Sequence, residues 1–356
     1  MEDPVLQVRF KRILYSLLVV FCITTSCFNE ARSQDIQFSQ FYAAALYLNP
    51  AFAGSTHTHR AMFHQRLQWP RLEAKYITSL FSFDTYFPGS KSGIGLMAIK
   101  DFQGRNYINS TEIVLQYSYE LGITKKLAFR PGLQAGYITR TIDYTHMRFP
   151  DQHNVDQGYT GQSTLDPTVS GRRASMFDIG AGGMFYSKKF WFSYAGHHLN
   201  TPNQSFGDGT VSILPAKHSF TAGYKFAVLK GETKPHMGHH DDQLYLVPTI
   251  HYKMQGKSDQ FDTGIYLLYN EFVAGGWYRG IPLKKYNREL RNNESVVAIL
   301  GVKLREWRVS YSYDFTISKL HDARTGGSHE LNITYLFKKS EKHKPMKVLP
   351  CPTSKL

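Results

Sequence analysis

From about Thr58 onward the chain alternates apolar and polar residues in runs of roughly ten, the period-two signature of strands with one greasy and one wet face. Trp307-Arg308-Val309-Ser310-Tyr311-Ser312-Tyr313-Asp314-Phe315 sets Trp, Val, Tyr, Tyr and Phe against Arg, Ser, Ser and Asp. Glu330 to Phe337 sets Leu331, Ile333, Tyr335 and Phe337 against Glu330, Asn332 and Thr334. Glu112 to Leu121 does the same, with Ile113, Leu115, Tyr117, Tyr119 and Leu121 opposing Glu112, Gln116, Ser118 and Glu120. Counting such runs predicts about fourteen strands, each close to the length that crosses a bilayer with tilt. They fall near 58–68, 73–87, 92–101, 108–122, 126–140, 175–187, 189–199, 217–229, 243–255, 259–270, 272–281, 294–304, 307–318 and 328–338.

The connections test that reading independently. Links from even to odd strands are mostly tight, at Thr124-Lys125, Lys188, Glu271 and Arg305-Glu306. Links from odd to even strands are mostly longer, including Thr141 to Ala174, Asn200 to Ala216, Pro282 to Asn293 and Lys319 to Gly327. The long link from Lys230 to Asp242 breaks the rule. Short turns on one rim and long loops on the other are expected of an all-β, transmembrane, antiparallel up-and-down barrel with its short side periplasmic. A soluble β-sandwich also alternates, but it rarely needs strands so uniformly long or so many outward Tyr and Phe. In lipid only a closed barrel pairs every strand, because an open edge leaves amides without partners in hydrocarbon.

The amino terminus predicts export. Arg9, Lys11 and Arg12 precede the apolar stretch Ile13 to Ile23, which is too short to span a bilayer. Ala31-Arg32-Ser33 fits a small-x-small cleavage rule, so residues 1–33 are expected to leave as a signal peptide, with cutting before Cys27 as the alternative. The organisation expected for the rest is an N-terminal segment over 34–57, the outer-membrane barrel over 58–338 and a basic tail over 339–356. Cys351 is then the one cysteine of the mature chain, too few for an internal disulfide.

Composition supports the barrel and narrows the chemistry. Hydrophobic residues are only 42%, too few for a helical membrane protein, whereas 23 Tyr and 24 Phe suit strands and bilayer interfaces. The formal charge of +14 raises nucleic acid as a partner. No basic helix, zinc-finger spacing or aromatic RNA-binding strand accompanies it, so none is expected. The basic residues fall largely at strand ends and in the tail from Lys338 to Lys355, where they would meet acidic headgroups or a partner protein.

Other candidate chemistry is sparse. His236, His239, His240, Asp241 and Asp242 crowd one link and could hold a divalent ion, but Gly238 argues against a helix presenting two ligands, and a solvated turn explains them as well. Alternation is expected to throw His197 and His198 to opposite faces. Asp151, Asp156 and Asp166 miss the calcium-loop spacing. No nucleophile elbow stands out, so a barrel-embedded lipid enzyme is disfavoured and no catalytic residue, cofactor or metal site is assigned. Inward Arg308, Asp314, Glu330 and Glu112 are read as lumen charges, rigidifying if paired and ion-selective if not. Tyr107, Trp277 and Tyr286 are read as interface anchors, with barrel packing as the equal alternative.

Ahead of the first strand lies Asp35-Ile36-Gln37-Phe38-Ser39-Gln40-Phe41-Tyr42-Ala43-Ala44-Ala45-Leu46-Tyr47-Leu48-Asn49-Pro50-Ala51-Phe52-Ala53-Gly54, mixed aromatic and small residues stopped by Asn-Pro and Gly. It either enters the barrel as a plug or lid, or rests on the periplasmic rim. Gln37, Phe38, Gln40, Phe41, Tyr42, Tyr47, Asn49 and Pro50 are its candidate plug or partner-binding residues. This segment resembles the start of the PorP/SprF family of type IX secretion membrane proteins. The likeness continues through Gln68-Trp69-Pro70, Asp178-Ile179-Gly180-Ala181-Gly182, His198-Leu199-Asn200-Thr201-Pro202 and Gln260-Phe261-Asp262-Thr263-Gly264. It runs on through Gly276-Trp277-Tyr278-Arg279-Gly280, Tyr311-Ser312-Tyr313-Asp314, Thr316-Ile317-Ser318 and Gly327-Ser328-His329-Glu330 to Pro350-Cys351-Pro352. The last four residues, Thr353-Ser354-Lys355-Leu356, depart from the aromatic ending expected there. The resemblance implies a non-enzymatic outer-membrane component of the secretion and gliding apparatus. Its implied partners are outer-membrane lipid together with periplasmic-ring proteins or the C-terminal domain of an exported adhesin. A passive or substrate-selective channel is the alternative that alternation alone permits.

Overall fold

The computed structural model describes residues 35–104, 108–144, 147–154, 158–165, 173–207, 211–229, 244–287, 290–318 and 324–338. Fourteen long strands dominate it: β1 (Arg60–Gln68), β2 (Tyr76–Phe87), β3 (Ser92–Gln103), β4 (Ile108–Tyr119), β5 (Ala128–Ile142), β6 (Arg173–Tyr186) and β7 (Phe190–His197) form one half. The second half is β8 (Lys217–Tyr224), β9 (Leu244–Gln255), β10 (Ser258–Tyr269), β11 (Phe272–Asn287), β12 (Leu290–Leu304), β13 (Trp307–Thr316) and β14 (Ser328–Leu336). Leu121–Gly122 prolongs β4 against β5, and Phe226–Leu229 prolongs β8 against β9. Each strand pairs antiparallel with its sequence neighbours, and β1 pairs with β14 from Arg60↔Leu336 to Gln68↔Ser328, closing the ring. The fourteen expected strands are all present. Among the described residues no helix is long and apolar enough to cross a membrane; the strands do that work.

The alternation maps onto two surfaces. Phe177 is 73% exposed, Leu300 67% and Leu133 61%, whereas Ser312, Asp314 and Glu330 on the opposite faces are buried. Large apolar side chains exposed all round a sheet this extensive need a solvent that is itself apolar. The closed ring leaves no open strand edge, as hydrocarbon demands.

The rims differ from expectation at two places. Pro282 to Asn287 and Leu290 to Asn293 are strand rather than loop: β11 runs on to Asn287 and β12 starts at Leu290, with register breaks at Arg279/Gly280 and between Ile281 and Asn287. The bulges absorb a stretch that lacks alternation, so the ladder continues where the hydrophobic pattern stops. The link between β9 and β10 is also tight, spanning only Gly256 and Lys257, although it joins an odd to an even strand. The link from Lys230 to Asp242, with its histidines, lies outside the described residues, as does the tail. Among the described residues, the turns of one rim are short, and the other rim carries the connections after β5, β7 and β13.

Candidate functional site

Residues 35–57 line the inside of the barrel, from the long-loop rim to the short-turn rim. The segment enters at the long-loop rim, where Asp35 meets Lys217 at 2.7 Å, His198 at 2.8 Å and Gln255 at 3.0 Å, all at or beside strand ends of that rim. It crosses the lumen and leaves at the short-turn rim. There the Ala53 carbonyl accepts from Ser118 Oγ at 2.7 Å and Arg130 Nη1 at 3.0 Å, and the Gly54 amide donates to Asp84 at 2.7 Å. Its only regular elements are a four-residue helix α1 (Ala45–Leu48) and a 3-10 turn over Pro50–Phe52.

The local sequence explains the second half of that path. Asn49 caps the 3-10 turn, its side-chain oxygen accepting from the Ala51 amide at 2.9 Å, while Pro50 supplies a preset φ at the first helical position. The Asn49 amide also donates to the Tyr194 carbonyl at 2.8 Å, tying the turn to β7. The wall makes room with glycine. A Cβ at Gly132 would lie 2.3 Å from the Ala51 nitrogen, and one at Gly182 would lie 2.2 Å from Asn49 Oδ1. Backbone approaches wall at a distance no other residue permits.

The first half is held by aromatics and charge. Phe38 sits edge-on to Tyr47 and His64, with centroids at 5.0 and 4.7 Å. Phe41 stacks on His251 and meets Trp277 edge-on, both at 4.8 Å. Tyr42 meets Trp191 and Tyr266 edge-on at 5.8 and 5.9 Å. The ring of Tyr47 lies under the Lys217 ammonium at 4.7 Å, and its hydroxyl donates to the Ile36 carbonyl. Trp277 is therefore 3% exposed and faces the lumen, correcting its reading as a bilayer anchor. The strand alternates as expected there; it is the apolar ring that faces inward, because the lumen holds protein.

Between those rings lies a buried ionic network. The Ser39 and Gln40 amides donate to the two carboxylate oxygens of Glu330 at 2.6 and 2.9 Å, and Ser39 Oγ donates to Asp314 at 2.6 Å. Arg66 joins Glu330 and Asp314, and Arg279 joins Asp314 at 3.2 Å and Asp262 at 3.3 Å. Gln40 completes its amide with Ser312 at 3.1 Å and accepts from Ser310 at 2.6 Å. The Gln37 amide lies against Arg279 and Gln260, and in the orientation that satisfies both it accepts from Arg279 Nε at 2.9 Å and donates to Gln260 Oε1 at 3.1 Å. Buried ions this dense are costly unless fully partnered, and a wrong register would strand them, so the network specifies position more than it adds stability.

Near the long-loop rim a second cluster joins Asp35, Lys217, His198 and Asp178, the last accepting from His198 at 2.7 Å. Burial alone would raise the Asp35 carboxyl, but Lys217 and His198 overcome it and hold it well below the usual carboxylate range. Burial would lower His198, yet Asp35 and Asp178 push it up to about 10. His197 and His198 are both buried, correcting the expected split onto opposite faces. His198 has φ 55°, in the left-handed region, so alternation ends there and its ring turns back inward.

All eight candidate residues of the N-terminal segment thus lie in the lumen. Sequence reasoning found two of their wall partners, Asp314 and Glu330, and missed Arg66, Arg279, Lys217 and Asp178. The signal was available: a charge in the wet register of a mid-strand run, as at Arg66 and Arg279, needs a lumen partner. Among the described residues no group of three or more His, Cys, Asp or Glu is arranged as metal ligands. Asp151 accepts from Thr164 at 2.8 Å and from the Leu165 amide at 2.7 Å; Asp156, Asp166 and Tyr107, and the side chain of Tyr286, lie outside the described residues.

Comparison with known proteins places these features. The profile of a family described as Type IX secretion system membrane protein PorP/SprF matches residues 30–335. No curated protein matches. Among solved structures, the Acinetobacter baumannii outer membrane protein Omp33 is 8% identical over 79% of this chain and 98% of its own, with a TM-score of 0.42. The Ralstonia pickettii toluene transporter TbuX is 11% identical over 83% and 94%, with a TM-score of 0.46. The KdgM porin is 9% identical over 78% and 99%, with a TM-score of 0.32.

Proposed function

The chain belongs to the PorP/SprF family of type IX secretion system membrane proteins, and on that premise we propose that it acts there as a plugged, non-enzymatic barrel that binds partner proteins. It resides in the outer membrane as an integral barrel. Residues 1–33 serve as the cleaved export signal. The segment over 34–57 serves as a resident plug, and Gln37, Phe38, Gln40, Phe41, Tyr42, Tyr47, Asn49 and Pro50 are the residues that seat it. The partners proposed are proteins of the secretion ring or the C-terminal domain of an exported adhesin, held for export and anchoring at the cell surface.

One observation carries this reading: the lumen is occupied along its height by a segment that is ion-paired, capped and ring-packed to the wall. A passive pore gains nothing from so many specific contacts across its conduit. A docking scaffold gains a rigid interior and two shaped rims.

The test compares the intact protein with a variant lacking residues 35–54. The intact protein, reconstituted in planar bilayers, is expected to give no steady current, and from native membranes it is expected to bring down secretion or adhesin proteins. The deletion variant is expected to insert but to lose those partners. Large, steady porin currents from the intact protein, or a deletion that changes conductance alone, would establish a channel instead.

A further inference from the structure

The short-turn rim, the periplasmic side of an outer-membrane barrel, is electrically lopsided. Three consecutive turns carry five exposed lysines: Lys91 between β2 and β3, Lys125 and Lys126 between β4 and β5, and Lys188 and Lys189 between β6 and β7. Among the described residues no ion pair reaches any of the five. The acids nearest them, Asp84 and Glu120, are buried and already engaged, Asp84 with Arg60 at 2.7 Å and Glu120 with Arg130 and with His57 at 2.8 Å. The far side of the same rim is balanced. There Arg305 and Lys338 are matched by Glu271 and Glu306, and Lys338 pairs with Glu306 at 3.3 Å.

Strand pairing makes the five lysines one patch. The Glu120 amide donates to the Lys91 carbonyl at 2.8 Å, which sets the first turn beside the second. The β5–β6 ladder ends at Ala128↔Tyr186, two residues from Lys126 and from Lys188, so the second and third turns leave the sheet side by side. Thr124 Oγ1 accepts from the Lys126 amide at 3.2 Å and Ser187 Oγ from the Lys189 amide at 3.2 Å, so both lysine pairs stand on fixed backbone. Neighbouring turns lie two strands apart, about 10 Å, which makes the arc about 20 Å long. Five like charges gathered there repel one another, and nothing in the barrel's packing needs them.

We propose that this arc docks an acidic face of a periplasmic protein. Bilayer headgroups are the other anions within reach. Lipid surrounds a barrel on every side, however, so lysines kept for headgroups would recur round the rim rather than gather in one half. A one-sided arc fits a partner that approaches from one side, guided by complementary charge. The plug is anchored beneath the same arc through Ala53 and Gly54, so a partner docked there sits against the plug's exit. The proposal rests on the barrel's role as a partner-binding scaffold and gives that partner its chemistry.

The experiment uses the purified protein in phosphatidylcholine nanodiscs and fluorescein-labelled hexaglutamate, whose extended length is also about 20 Å, read by fluorescence anisotropy. Saturable binding is expected, weakening as salt rises, with hexaserine showing none. Exposed ion pairs contribute about a factor of two to three each, so Lys125→Gln/Lys126→Gln/Lys188→Gln/Lys189→Gln is expected to weaken binding roughly thirtyfold. Arg305→Gln/Lys338→Gln, on the balanced side, is expected to leave it unchanged. Heat-dependent gel migration confirms that each variant keeps its barrel. Absence of binding, binding that survives the quadruple substitution, or equal loss in both variants would overturn the arc. Native mass spectrometry adds one more outcome: a preference for phosphatidylglycerol over phosphatidylcholine that disappears in the quadruple variant would give the arc to headgroups and overturn the protein partner. Steady porin currents from the same preparation would refute the scaffold role without touching the peptide result, so the two failures read separately.

Discussion

Glu330→Gln isolates the plug from the barrel. Glu330 is 1% exposed, and its carboxylate accepts from two successive plug amides as well as from Arg66 and from His64 at 3.2 Å. Glutamine keeps the shape but replaces one acceptor oxygen with a donor, so one plug amide faces an N–H, and Arg66 loses half its countercharge. Breaking a buried ion pair by altering one partner costs about 3–5 kcal/mol. Asp314 still faces Arg66 at 3.1 Å, which argues for the lower end, about 3 kcal/mol. At 1.4 kcal/mol per decade that is roughly a hundredfold in the plug's opening equilibrium. Hydrogen exchange read by mass spectrometry reports it directly: amides of residues 36–54 should exchange roughly a hundredfold faster, while those of β3 and β4 keep their protection. Adding Arg66→Met to Glu330→Leu removes both charges and should recover part of the loss. Unchanged exchange in the plug would refute the idea that these contacts hold it. Equal acceleration in every strand would show that Glu330 supports the wall instead.

Three further perturbations probe other parts of the argument. Gly132→Val puts side-chain atoms where the Ala51 and Pro50 backbone lies, so protection over residues 49–54 should fall while the barrel still migrates as a folded species on gels. Leu115→Arg, on a face 58% exposed to the bilayer, should cost about 2–4 kcal/mol in urea titrations of vesicle-inserted protein if it lies near the midplane; no loss would place that face out of lipid. The Asp35–His198 contact predicts a pH profile. His198, raised from 6.5 to about 10, contributes fully below 6.5 and loses that contribution as pH climbs toward 10. Asp35, depressed from 3.8, contributes above 3.8 and loses it in stronger acid. Protection factors at the plug's entry should therefore peak between 3.8 and 6.5 and decline through the alkaline limb, and His198→Gln should flatten that limb.

The barrel was legible because its two faces meet different solvents. Phe315 and Tyr311 face lipid while Asp314 and Ser312 face inward, so a two-residue period is imposed on every stave. Legibility failed where that contrast lapses. From Ile281 to Asn287 and from Leu290 to Asn292 the strands continue where the sequence does not alternate, and their ladder is held by backbone pairing that leaves no mark in that pattern. At His198 a single left-handed φ reverses a side chain, and no neighbouring glycine announces it.

The lumen was half legible for a different reason. A barrel that encloses water should carry polar side chains at nearly every inward position, and the wet register of β13 and β14 does. Elsewhere that register is interrupted by residues water would not favour: Leu80, Met97 and Ile99 on β2 and β3, Val114 on β4, Met184 on β6, Trp191 on β7, and Val297 and Ile299 on β12, all buried. Their buried apolar surface has to be covered by something, and the aromatic and alanine-rich run from Phe38 to Ala53 is the apolar surface that covers it. An amphipathic strand set whose inward face is itself mixed therefore predicts a protein-filled interior. The charges interspersed with it, Arg66, Arg279 and Lys217 among them, predict that the filling chain must bring or meet carboxylates. Asp35 brings one, and Asp314 and Glu330 meet it from the wall, so composition of the inward face and sequence of the leading segment constrain each other.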